Sequence, residues 1–161
     1  MLIALGNSPS SGSSLFADLL DSCSLTACGP ELSLFAVESL YDYEKFSHNP
    51  FRSSRCSNIY LNRPTIRKPA LAAYGFTENS FRVFVSQFNS LTGFLDGIRK
   101  HYLLFRNKDE HGIVFEKTPQ NSNTLDQYLA NTDSPFIHIV RNPAYMYASL
   151  LRRGVSPGVA L

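Results

Sequence analysis

The chain has 161 residues, 43% of them hydrophobic and 17% charged, with fifteen Lys and Arg against thirteen Asp and Glu for a formal charge of +2. That supplies enough apolar side chain for the core of one domain and excludes a disordered acidic or basic tail. So small a positive excess also excludes a generic binder of nucleic acid or of anionic membrane surface, so any anion site has to be local.

No stretch approaches the roughly 18 apolar residues of a transmembrane helix. Leu2-Ile3-Ala4-Leu5 is too short for the apolar region of a signal peptide. Three cysteines (Cys23, Cys28 and Cys56) form an odd set without secretory context, and reduced thiols are expected. A cytoplasmic α/β domain is the expectation.

Leu2–Leu5 predicts a strand and Gly6–Gly12 a polar turn. A helix then runs from Ser13 to about Ser22, with Leu15, Phe16, Leu19 and Leu20 at helical spacing and Ser13 or Ser14 as its cap. Leu25–Cys28 is a second short strand. Gly29-Pro30 turns the chain into a helix with Glu31 in its first turn, where the helix dipole favours a carboxylate. From Lys45 to Thr77 the pattern weakens into an irregular basic excursion holding Arg52, Arg55, Arg63, Arg67 and Lys68, with a short strand at 58–61. Glu78 to about Arg106 is one long periodic segment whose stripe is Phe81, Phe84, Phe88, Leu91, Leu95, Ile98, Tyr102 and Phe105, weakened at Gly93 and Gly97. Ile113–Phe115 is a strand, Glu116–Pro119 a turn and Asn123 to about Ala130 a helix. Phe136–Val140 is a buried-type strand leading through Arg141-Asn142-Pro143 into a helix that ends near Arg152. Strands alternating with helices imply a parallel sheet with right-handed crossovers.

In such a sheet, ligands bind beyond the carboxyl ends of the strands. Three loops leave those ends. In Pro9-Ser10-Ser11-Gly12-Ser13-Ser14, glycine lets backbone approach a ligand, and successive N–H groups with a helix N-terminus behind them suit a phosphate. The same letters also read as a serine-rich cap. A nucleoside-triphosphatase P-loop needs Gly-x4-Gly-Lys-Ser/Thr, whereas five residues separate Gly6 from Gly12 here and Ser13 stands in the lysine's place, which disfavours a small-molecule kinase. The second loop carries Lys117, a candidate for neutralising charge on a transferring group. The third carries Arg141, with Ser149 eight residues on, just over two helical turns away. An arginine fork binds phosphate bidentately and a serine hydroxyl completes the coordination. The four histidines (His48, His101, His111 and His138) show no paired metal-ligand spacing.

Taken together, the loops resemble a sulfotransferase that uses 3′-phosphoadenosine 5′-phosphosulfate (PAPS), a P-loop-like three-layer α/β/α fold with a short parallel sheet. That family opens with a strand and a Pro-Arg/Lys-Ser-Gly-Thr-Thr loop, to which Pro9–Ser14 is similar. Its later Arg-Asp-Pro/Gly with a serine eight residues on is matched by Arg141-Asn142-Pro143 and Ser149. Glu116-Lys117-Thr118-Pro119 resembles a lysine-bearing turn of bacterial and tyrosylprotein members. Cys28-Gly29-Pro30-Glu31 resembles the Cys-Gly-x-Glu element of the tyrosylprotein type.

The resemblance implies that the backbone N–H groups of Ser11 to Leu15 and the hydroxyls of Ser13 and Ser14 hold the 5′-phosphosulfate. Ser10 sits in the same loop, Arg141 and Ser149 clamp the 3′-phosphate, Lys117 stabilises the bridging oxygen and Glu31 deprotonates an acceptor hydroxyl. His111 is the second choice of base, and no metal is needed. The acceptor is a small molecule, a carbohydrate or a peptide. Two departures stand out: Ser10 replaces the family's loop cation, and the family's domain continues well past the Arg/Ser helix, so the chain resembles its N-terminal portion. A catalytically impaired PAPS-binding module is the alternative.

Overall fold

Alternation of side chains along the first strand decides how the molecule is layered. In the computed structural model, which describes residues 1–8, 10–51 and 71–156, β1 spans Leu2–Asn7 and every one of its residues is buried. Leu2 and Ala4 enter one apolar cluster and Ile3 another, as the two-residue period of a strand requires. Its neighbours repeat the division. Ala27 of β2 (Thr26–Cys28) and Val114 of β3 (Ile113–Lys117) join Leu2, while Cys28 and Phe115 join Ile3.

With β4 (Phe136–Ile139), these strands form one all-parallel sheet in the order β2-β3-β1-β4. On the Ile3 face lies α1 (Ser13–Ser22), through Ala17 and Leu20. On the Leu2 face lie the segment 32–37, α4 (Leu91–Phe105) and α5 (Leu125–Asn131), whose Tyr128 is fully buried. The chain is thus α/β with both sheet faces covered, as the alternating pattern predicts.

Because α1 leaves β1 toward one face and α5 follows β3 toward the other, the two adjacent strands open a crevice at their carboxyl ends. The register levels those ends: Leu5 lies opposite Lys117, Gly6 opposite His138 and Asn7 opposite Ile139.

Several expectations are corrected. No helix follows Gly29-Pro30: residues 30–37 run as irregular chain and turn, with Ser33 left-handed at φ 58° and the amides of Leu32 and Ser33 bonded to Glu116 of β3, as described below. The segment Glu78–Arg106 is two helices, α3 (Glu78–Val85) and α4, separated by Ser86–Ser90. Ser90 caps α4 by accepting from the Gly93 N–H, and the ring of Phe88 folds back where a Cβ on Gly97 would come within 2.2 Å of it. Both glycines therefore serve the break. A short helix, α2 (Tyr43–His48), starts ahead of the basic excursion with Asp42 accepting from the Lys45 N–H. Glu116 and Lys117 belong to β3 rather than to a turn, and a 3-10 segment at Pro119–Thr124 precedes α5. Pro9, Cys56, the excursion's Arg52, Arg55, Arg63, Arg67 and Lys68, and the strand expected at 58–61 lie outside the described residues.

Packing is dense beside β2 and thin beyond β4. A Cβ on Gly29 would meet the buried Tyr74 ring at 2.5 Å and the Tyr102 hydroxyl at 2.8 Å. Gly29→Ala is therefore expected to lose about 2 kcal/mol, read as a lowered urea midpoint with an unchanged slope. At the other edge, α6 (Pro143–Arg152) contains no buried residue, and Val140 and Tyr145 are largely exposed.

Candidate anion-binding site

The loop after β1 leads into a helix whose end is unclaimed. Gly12 is the N-cap of α1 at φ 93°, a left-handed conformation that glycine adopts freely. It offers no side chain, so neither Ser13 nor Ser14 is the cap, and the first turn holds no acidic residue. The Ser11 N–H is already bonded to the Ser8 carbonyl at 3.3 Å, which removes it from the expected cradle. The helical ladder begins with Phe16 N–H on the Gly12 carbonyl at 3.2 Å. The N–H groups of Ser13, Ser14 and Leu15 precede that bond, at the positive end of the helix. Ser10 is also left-handed, at φ 63°. The hydroxyls of Ser10 and Ser11 are buried with no hydrogen-bond partner among the described residues.

Two further strand ends meet this loop or flank it. Arg141, two residues past β4, donates from Nη1 to the Ser10 carbonyl at 3.1 Å across 131 positions of sequence. Its guanidinium also lies 5.9 Å from the centre of the Tyr145 ring. Ser149 is half-buried in α6 and makes no hydrogen bond to Arg141.

One strand over, Lys117 shares a sheet face with Ile3, Leu5 and Phe115, the face that α1 covers. Its Nζ donates to Glu31 Oε1 at 2.8 Å. The lysine side chain is only 9% exposed and the glutamate 29%. The two residues expected to share the chemistry are thus in direct contact.

What holds Glu31 there is a residue to which sequence reasoning gave no role. Glu116, one position before Lys117, points to the opposite face and is buried. Its Oε1 accepts from the N–H groups of Leu32 (2.9 Å) and Ser33 (3.2 Å) and from Thr118 Oγ1 (2.6 Å), and its Oε2 accepts from Asn121 Nδ2 (2.7 Å). Thr118 Oγ1 accepts a second bond from Ser33 N–H at 2.9 Å, and Asn121 Nδ2 also reaches the Leu5 carbonyl at 3.2 Å. Burial raises the Glu116 pKa above the ordinary carboxylate range, although the donors of Thr118, Asn121 and Leu32 pull it back. The available signal was a carboxylate inside an otherwise apolar strand, Val114-Phe115-Glu116.

The histidines sort by edge. His111 precedes β3, at the amino end of the sheet, with its side chain 87% exposed. That places it away from the loops and removes it as second choice of base. His138, on β4, is oriented by Ser122 Oγ at 3.0 Å from Nδ1. Burial pushes the Cys28 thiol up to about 12, so it stays protonated beside the site. No cluster of three His, Cys, Asp or Glu suited to a metal occurs among the described residues, nor is any described helix long and apolar enough to cross a membrane.

Comparison with protein-family models, with curated proteins and with solved structures finds no match to this chain.

Proposed function

We propose that the chain binds a phosphorylated adenosine of the PAPS type at the carboxyl edge of its sheet and transfers the sulfuryl group to an acceptor hydroxyl. The observation that carries this reading is the Arg141–Ser10 contact, which brings the first and third loops together at the uncapped start of α1. It is supported by the buried, unpartnered hydroxyls of Ser10 and Ser11, which a ligand oxygen would satisfy. Lys117 at the end of the adjoining strand, paired with Glu31 from the segment after β2, adds a cation and a base.

In this reading, the α1 N–H groups and serine hydroxyls position the phosphosulfate and Lys117 donates to the bridging oxygen as negative charge builds there. Glu31 takes the acceptor's proton as the bond from sulfur to the bridging oxygen breaks and a new sulfur–oxygen bond forms. Sulfuryl transfer of this kind needs positioning and preorganised charge rather than a metal. The P-loop-like fold type, a cytoplasmic setting and an acceptor that is a small molecule, a carbohydrate or a peptide belong to the same proposal.

Titration calorimetry tests it: adenosine 3′,5′-bisphosphate is expected to bind at least tenfold more tightly than ATP, and tighter ATP binding would overturn the reading. A second reading, binding without transfer, is favoured by Ser10 in place of a loop cation and by a Lys117 already neutralised by Glu31. Release of labelled sulfate from PAPS separates the two.

A further inference from the structure

The resemblance sets Arg141 on the 3′-phosphate, with Ser149 as its companion. The contacts point to a different duty. We propose that Arg141 belongs to the first loop, where it supplies the cation missing at Ser10 and binds the same oxyanion as the start of α1. This rests on the anion-binding part of the reading above but not on sulfuryl transfer.

Four observations carry it. Arg141 spends one donor on the Ser10 carbonyl at 3.1 Å, and a guanidinium has five N–H donors in a rigid fork, so among the described residues four donors are left uncommitted on a group anchored to the loop. Among the described residues Arg141 forms no ion pair with a carboxylate, which leaves its charge available. Ser149 does not meet it, and as the sixth residue past Pro143 it sits roughly 9 Å along the axis from the start of α6. Finally, Ser11 is more than nine-tenths buried (8% exposed) at the turn into α1, and its hydroxyl has no partner.

A donor-rich fork, two unpartnered hydroxyls and the free amides of a helix start together favour a compact, multiply charged oxyanion. A phosphate, pyrophosphate or phosphosulfate group fits that description. A carboxylate has too few acceptor oxygens to satisfy all of them. The loop's lost cation is thereby replaced from across the sheet, by a residue that is its neighbour only because β1 and β4 pair.

The two assignments separate by ligand. Adenosine 5′-phosphate, adenosine 3′,5′-bisphosphate and inorganic pyrophosphate would be titrated into the full chain, its Arg141→Gln variant and its Ser149→Ala variant. Arg141 is exposed, and an unchanged thermal midpoint verifies folding. On this proposal Arg141→Gln weakens both adenosine ligands by the same factor of about tenfold or more, and weakens pyrophosphate as well. Loss confined to the bisphosphate, with the 5′-phosphate and pyrophosphate unaffected, restores the 3′ assignment and overturns the proposal. If pyrophosphate alone binds and Arg141→Gln abolishes it, the nucleotide reading fails while the loop assignment stands. If none of the three binds the unaltered chain, both fall.

Discussion

Glu116→Ala is expected to remove about 3 kcal/mol of stability and to free the Glu31 segment from the sheet. The cost is uneven among the donors. Ser33 N–H retains Thr118 and Asn121 Nδ2 retains the Leu5 carbonyl, but Leu32 N–H is left buried with no partner among the described residues, and a side-chain void is added. Urea unfolding measures the loss, and a midpoint shift corresponding to less than about 1 kcal/mol would contradict the account.

The pH dependence has a definite sign. A carboxyl whose folded pKa is raised holds its proton more tightly in the native state than in the unfolded one. Its contribution is therefore fully present below the ordinary carboxylate range and is lost as pH climbs through the raised value. The stability of the wild type minus that of Glu116→Gln should fall with rising pH across that window and then level off.

The second large effect concerns the pair beside it. Lys117→Met is expected to lower PAPS-dependent sulfate transfer by about 10²–10³-fold while weakening adenosine bisphosphate. Glu31→Gln is expected to lower transfer by about 10²-fold while tightening the bisphosphate, because the carboxylate that neutralises Lys117 is gone. Opposite movements of affinity with parallel losses of turnover distinguish working groups from a merely structural ion pair. Were Glu31→Gln to turn over normally, the base would lie elsewhere.

What the sequence disclosed, and what it hid, follows from how far each signal reaches along the chain. β1, α1, the later strands and α6 were legible because their apolar spacing is local. The helix expected after Pro30 failed where Ser33 turns left-handed at φ 58°, a conformation that ends a helix, and the fixing contact is non-local: the amides of Leu32 and Ser33 are held by Glu116, more than 80 residues away. The break between α3 and α4 was hidden because the stripe from Phe84 through Phe88 and Leu91 keeps its period across it. Of the candidate site, Arg141 and Lys117 were singled out by residue type at strand ends, and Glu31 through the resemblance of Cys28-Gly29-Pro30-Glu31 to a family element. Glu116, Thr118 and Asn121 were not, since polar residues near a turn look solvated until the partner segment is known. The serine cap also failed, because either serine satisfies a capping pattern that Gly12 pre-empts through its backbone.

The weak anchoring of α6 has a consequence for recognition. A guanidinium carried on so lightly held a support is poised by what it touches rather than by the scaffold beneath it. Deuterium uptake should be quick in β4 and α6 and slow in β1 and β3, and an oxyanion seated between Ser10 and Arg141 should slow it at the far rim. The measured grip would then be the gross attraction less the free energy of stilling that rim, so affinity could be raised without altering any group that meets the anion.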